Sequence, residues 1–504
     1  MALRIASTVT SRHRGKTVPV TASRAATGRL PILSPHSTRP PREAVLTKTR
    51  IRTLALGVVV ILAALVVLLT VEARHERTGL ELIGQKTAPV VVASSDLYFE
   101  FNDMDAQLAN VLLVGNETDL GFTRAEALKI YAQRRQQVSK SLQQAASTAA
   151  ADPGAARAVR AILDALGRYE TLGAQMILLD EQDSHPAGKP SPATLAKYRQ
   201  ATDLLSTVVL PAAQGLIDRN SQILESTYET QRARTLTVRT WVIIIGIVLL
   251  AALIVLQGYT LRRFHRLLNP FLALATLIAV GLSISGATLI SHEAEYLRVA
   301  KKDSFDSVLA LNKARAVSYD ANADESRYLV DQKRASRYEK SFFAKTQQLV
   351  DMNGATLHTF DPRLADALNR YRKNNDNLAW TGFYGTAFRN ITFVGERARA
   401  EHTITTYQTY QVDDRRIRQL ATSGHLRAAI AFCTSYDPGN SNYHFGLYDT
   451  ALSSWIDINQ GWFDRSIRDG EGELAGWTVI PVVTGLAILG LLLLGLRRRV
   501  AEYH

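Results

Sequence analysis

Four uninterrupted apolar runs, at residues 53–71, 238–257, 271–290 and 478–496, constrain this chain more than any other feature. A helix rises about 1.5 Å per residue, so roughly twenty apolar residues match a hydrocarbon layer about 30 Å thick, and a single segment satisfies its own backbone there only as a helix. Residues 54–69 have no polar face, which argues against the half-buried helix of a soluble domain. The sequence therefore predicts an all-α membrane protein that reads span, polar segment, span, short link, span, polar segment, span. The polar segments are residues 72–237 and 291–477.

Charge predicts the orientation. Residues 1–52 hold eleven Lys or Arg against the single acid Glu43. The link 258–270 adds Arg262, Arg263 and Arg266, and the tail after Leu496 adds Arg497, Arg498 and Arg499 against Glu502. Together these stretches carry +15 in a chain whose net charge is +13, so the remainder carries −2. Basic residues gather on the cytoplasmic side of a bilayer, which places both termini and the link inside and both polar segments outside the cell membrane. The positive charge thus reports topology and contact with anionic lipid headgroups, and no nucleic-acid partner is expected. Residues 1–52, rich in Ser, Thr, Pro and Arg without an apolar period, read as a disordered basic tail, and 497–504 as a short basic one.

Within 72–237, Leu97, Phe101, Met104, Leu108 and Val111 step by four and three, as do Leu128, Tyr131, Arg135, Val138 and Leu142. Two further stripes run through Val159, Ile162, Leu166, Tyr169, Leu172, Met176 and Leu179, and through Leu195, Tyr198, Thr202, Leu205, Val209, Ala212 and Leu216. Turn formers at 115–119, 152–154 and 185–190 separate them, so the segment reads as an up-down-up-down four-helix bundle. Residues 291–477 read as a second helical bundle. The shared order of parts, with 103–113 set against 320–330, predicts a duplicated span-bundle-span unit.

Chemistry is sparse. The eleven His are scattered without an HExxH pattern, and no phosphate loop, nucleophile elbow or kinase signature occurs. No catalytic, cofactor or metal-binding residue is predicted, and an enzyme is not expected. Cys433, the one cysteine, is expected either to be buried in a helix seam or to be available for an intermolecular bridge. The spans carry no ionisable group in their interiors, which argues against a channel or transporter. Gly281, Gly286, Gly485, Gly490 and Gly495 read as close-approach positions between spans.

Two stretches are candidates for a ligand or partner surface. Tyr98, Asn102, Asp103 and Asp105 lie together on one outer helix, where Asp103 and Asp105 flank the core position Met104 on what reads as a solvated acidic face. Asp105→Ala is therefore expected to leave the bundle folded, whereas Leu108→Asp should unfold it. The second stretch, 432–445, interrupts the helical pattern with Tyr436, Asp437, Asn440, Asn442, Tyr443 and His444, a composition that suits a recognition loop or a plain interhelical one. Trp380, Phe383, Tyr384 and Phe388 recur at helical spacing and read as core.

Ala88-Pro89, residues 95–99, 103–106, 210–213 and 262–270, together with the doubled layout, resemble a family of actinobacterial four-span membrane proteins related to GlnX. The resemblance implies a signal relay between an extracytoplasmic amino-acid-binding lipoprotein and the cytoplasmic protein kinase G, with no motif specific enough to carry binding residues over. The expected function is a non-enzymatic transmembrane sensor or adaptor. The alternative is a structural envelope scaffold, or an oligomer of this chain, without a signalling role.

Overall fold

The apolar runs form helices that continue well past them in both directions. In the computed structural model, which describes residues 42–149, 152–264 and 269–500, the chain runs through α1 (Arg42–Glu81), α2 (Ala88–Val114), α3 (Arg124–Ala149), α4 (Pro153–Gln182), α5 (Pro192–Leu204) and α6 (Leu210–Phe264). It then forms α7 (Pro270–Arg298), α8 (Asp306–Val330), α9 (Ala335–Leu349), α10 (Phe360–Lys373), α11 (Gly382–Arg389), α12 (Glu396–Thr422), α13 (Leu426–Thr434), α14 (Ser441–Glu473) and α15 (Ile480–Val500). The one extended pairing among the described residues is a bridge between Asp351 and Thr381. Met1–Arg50 and Ile51–His504 are separate units, and all packing below lies within the second.

Four of these helices, in α1, α6, α7 and α15, are long and apolar enough to cross a membrane, which makes this a multi-pass membrane protein. One face of each joins a shared core of Val58, Leu65, Val242, Leu253, Leu282 and Ile488. The opposite faces leave Leu56, Val60, Ile247, Leu277, Ile284 and Leu486 exposed, a surface that lipid covers and water would not tolerate. The glycines divide. A side chain at Gly286 or Gly485 would strike Leu69 or Val66 at 2.7 Å, and one at Gly495 would strike Leu272, whereas Gly281 and Gly490 face nothing within 4 Å. The last two are therefore not close-approach positions.

Caps define the first polar segment. Thr123 and Glu126 form a capping box at α3, Asp152 accepts from the backbone N–H groups of Gly154 and Ala155 at α4, and Ser191 accepts from Thr194 at α5. Helices α2, α3, α4 and the α5–α6 rod follow the four predicted stripes, with breaks at the expected turns. Two boundaries differ from expectation. Helix α1 already begins at Arg42, inside the stretch read as a disordered tail, while residues 1–41 lie outside the described residues. The stretch 432–445 is mostly helical, because α13 extends to Thr434 and α14 starts at Ser441, leaving only 435–440 as a turn.

Three short π-helical stretches interrupt the rods. Leu82–Thr87 joins α1 to α2, Val299–Phe305 joins α7 to α8, and Leu205–Val209 joins α5 to α6. The first two sit at the same place, between an apolar run and the helix that follows it.

Helices α2 and α8 are the centre of the polar region. Each is buried on nearly every side, and they pack against one another, with α3 and α6 also flanking α2 and with α9, α11 and α14 also flanking α8. One apolar core accordingly mixes Met104, Leu108, Val111 and Tyr169 with Leu329, Tyr338, Ile417, Ile430 and Cys433. Cys433 is a free, buried thiol in that seam. A second core, inside 291–477, is dominated by rings: Trp380, Tyr384, Phe388, Tyr407, Tyr410, Tyr448 and Trp455. Phe383 packs against it, so all four aromatics read as core occupy one.

Candidate functional site

A helix buried on all sides must either be apolar throughout or find partners for its polar groups, because an unpaired buried charge costs several kcal/mol. Helix α2 takes the second course. Asn102, Asp103, Asp105, Gln107 and Asn110 are all buried, so the face that reads as solvated in sequence lies inside. Asp105, with no exposed surface, accepts from Tyr169 Oη and Tyr198 Oη at 3.3 Å each, from Thr202 Oγ1 at 2.8 Å and from Arg327 Nε at 2.9 Å. Its removal would leave the buried Tyr169, Tyr198 and Thr202 hydroxyls and Arg327 Nε without their shared acceptor, which corrects the expectation that Asp105→Ala is harmless.

Arg327, on α8, ties the network together. Its Nη1 donates to Asp320 Oδ1 at 3.0 Å and to Asp324 Oδ1 at 2.7 Å. From α9, Lys345 Nζ donates to Asp324 Oδ2 at 2.5 Å, and reaches Asp320 Oδ1 at 2.7 Å and the Asp320 carbonyl at 3.1 Å. Burial raises the proton affinity of Asp320, but Lys345 and Arg327 outweigh it and hold its carboxyl below the ordinary range. Burial favours a neutral Arg327, yet Asp105, Asp324 and Asp320 push its guanidinium well above its usual value. The neighbouring Tyr98 phenol is pushed up by burial and by the adjacent Asp320.

Over this network opens a cavity of about 340 Å³, bounded by α2, α5, α6, α8, α9 and the π-turn Leu205–Val209. Tyr98, Asp320, Asp324, Arg327 and Lys345 line its inner part. Thr202, Asp203, Ser206, Arg337, Tyr338 and Ser341 line the rest. At the mouth, Asp203 accepts from Arg334 at 3.1 Å and from Arg337 at 3.5 Å. Just beside it, Arg199 of α5 makes a two-pronged contact to the buried Asp331 at 2.5 and 2.7 Å. The cavity is thus walled by both polar segments, with ion pairs bridging them at the floor and the mouth.

The other predicted residues lie apart from this cavity. Arg134 Nε holds Asp103 at 2.5 Å, Gln107 donates to Asp103 at 2.8 Å, and Ser326 donates to Asn110 at 2.9 Å. Tyr436, whose ring is 46 % exposed and sits 5.4 Å from Phe122, turns its hydroxyl toward Gln107 and Asp103. The two predicted stretches therefore meet through Tyr436, but on the α3 side of α2. Asn440 and Asp437 close the turn after α13, Asn442 donates to the Thr434 carbonyl, and His444 pairs with Asp413 at 2.7 Å. Tyr443 stacks edge-on against His444. These residues cap and brace helices.

Asp320, Asp324, Arg327, Lys345 and Asp203 were not singled out from sequence. A signal was present: Asp320, Asp324 and Arg327 step by four and three along one face of α8, and Asp103, Gln107 and Asn110 repeat that spacing on α2. Among the described residues no cluster of His, Cys, Asp or Glu could hold a metal ion.

No curated protein and no solved structure matches the chain. Residues 79–229, which contribute Tyr98, Asp105, Thr202 and Asp203 to the network and cavity, match the family model of the actinobacterial sensor domain, and over that stretch the chain is similar to that family.

Proposed function

We propose that this chain is a non-enzymatic transmembrane sensor that reads a signal outside the cell and passes it to a cytoplasmic partner. The observation that carries the reading is the joint between α2 and α8. Their far ends are locked by Asp105 and Arg327, and their near ends run through π-turns into the apolar helices α1 and α7. Asp105 lies seventeen residues beyond Ala88, about 25 Å of helical rise, so a small change at the cavity moves a long lever. A π-turn holds one residue more than an α-turn needs, and its migration slides or rotates the rod beyond it.

The halves are read as a duplication. A shift of 217 residues carries Leu82 onto Val299, Asp103 onto Asp320 and Asn110 onto Arg327, so it superposes the π-turns and the polar stripes together. The basic link and tails support an orientation with both termini in the cytoplasm and the polar segments outward. In this reading a cytoplasmic partner supplies the output. The resemblance to proteins related to GlnX supports a protein kinase there, and an amino-acid-binding lipoprotein or a free ligand on the outer side.

Crosslinking in intact cells, followed by identification of the captured proteins, tests the relay. A solute-binding lipoprotein or a kinase crosslinked to the wild type, and a yield that changes in Arg327→Met, supports it. Capture of copies of this chain alone overturns it in favour of a scaffold.

A further inference from the structure

The ion-pair networks behind the inner and outer parts of the cavity carry opposite charge imbalances. On the floor, Asp320 and Asp324 meet Arg327 and Lys345, and Asp105, buried behind the lining against Arg327, gives this network one negative charge more than positive among the described residues. The three protons of Lys345 are spent on Asp324 Oδ2, Asp320 Oδ1 and the Asp320 carbonyl, and Arg327 points into its three carboxylates. Asp320 and Asp324 still have lone pairs to offer, because each carboxylate accepts about four hydrogen bonds. A group entering from above is therefore asked for donors and for a positive charge. At the mouth the sign reverses. Asp203 is shared between Arg334 and Arg337, leaving one positive charge in excess, and Arg337, whose side chain is 57 % exposed, lines the cavity as Ser341 does.

We propose that this cavity binds a small organic zwitterion, its ammonium seated on Asp320 and Asp324 and its acid group held by Arg337. This rests on reading the cavity as the sensory site. An ammonium brings three donors and one charge to the place where both are lacking, and the low local dielectric makes that pairing stronger than at an open surface. A bare metal ion suits the floor poorly, since Arg327 and Lys345 already stand between the carboxylates. The volume, about 340 Å³, is at the lower end of small-molecule sites. Tyr98 and Tyr338 supply ring surface for the carbon skeleton between the two charged ends. The π-turn at Leu205–Val209 places the exposed Ser206 at the entrance, the widened helical geometry that recurs at functional sites.

The test uses the purified full-length chain in lipid nanodiscs and reads thermal unfolding and calorimetric binding. The probes are alanine, γ-aminobutyrate, lysine, ethylamine and acetate, each raised to about 10 mM. At least one zwitterion should bind saturably and raise the unfolding temperature, with ethylamine and acetate weaker by about tenfold or more. Arg337→Ala, at an exposed position, should weaken the zwitterion about tenfold and leave ethylamine unchanged. Ser206→Trp, which fills the mouth without touching the floor, should abolish binding. The proposal is overturned if no zwitterion binds, if ethylamine equals the best zwitterion, or if Ser206→Trp binds as wild type. Binding is read without any partner, so its failure leaves the cellular capture of a lipoprotein or kinase standing. Capture of self alone, with a zwitterion bound, would remove the relay and keep the ligand.

Discussion

Arg327 of α8 donates to Asp105 of α2 at 2.9 Å across the junction between the two polar segments, and neither side chain has appreciable access to solvent. The pair is worth little as a stabiliser measured against an apolar substitute, because desolvating both charges offsets most of their attraction. Its consequence is register. With Arg327 gone Asp105 is a buried carboxylate without a cation, so α2 and α8 can pair in few other ways.

Among the described residues, Arg327→Met removes the only cation that touches Asp105 and leaves three buried carboxylates with Lys345. Stability should fall by about 3–5 kcal/mol. Denaturant unfolding of the detergent-solubilised chain measures it, and an unchanged midpoint would show that the network is wet and unimportant.

Two glycines with nearly the same left-handed backbone separate strain from collision. Gly424, at φ 84°, has nothing within 4 Å of an added Cβ, and Gly424→Ala should cost about 1 kcal/mol for conformation alone. At Gly382, φ 81°, the Cβ would meet the backbone oxygens of Gln348 and Leu349 at 2.6 and 2.8 Å. Gly382→Ala should therefore be clearly more damaging, by about 2 kcal/mol or more. Equal unfolding midpoints for the two variants would contradict this reading.

Glu100, on α2, supplies a pH signature. Burial, then the nearby Asp96, pushes its carboxyl up to about 8, against favourable contributions from Ser141, Arg134 and Arg315. A raised folded-state value means that the native chain binds the extra proton, so stability is greatest below about pH 4.5 for this group and declines as pH rises to about 8. Glu100→Gln keeps a neutral acceptor for Ser141 and should flatten that decline. Unfolding midpoints of both proteins at acid, neutral and mildly alkaline pH decide it, and parallel curves would mean that Glu100 does not titrate in this range.

Between the apolar helices, Gly485→Leu drives a side chain into Val66, whereas Gly490→Leu points into open space. The first should lower the unfolding temperature in nanodiscs while the second leaves it within error. The reverse order would mean that α15 packs on a different face.

The membrane helices and the four helices of 72–237 were legible in the sequence because their causes are local. Hydropathy acts on each span separately, and a heptad stripe with its caps needs only residues a few turns away. Leu108, read as core, is fully buried for that reason. Asp105 could not be read in the same way. A carboxylate beside a core position looks solvated unless its partner is known, and Arg327 lies 222 residues further along the chain. Likewise, Tyr98 and Asp203 become two walls of one cavity only when α2, α5 and α9 meet. Segment by segment, then, solvent preference and helical period set what each part of this chain becomes. Whether the acids of α2 and α8 face water or a buried cation was decided by long-range packing, since burying them is tolerable only where the opposite charges arrive together.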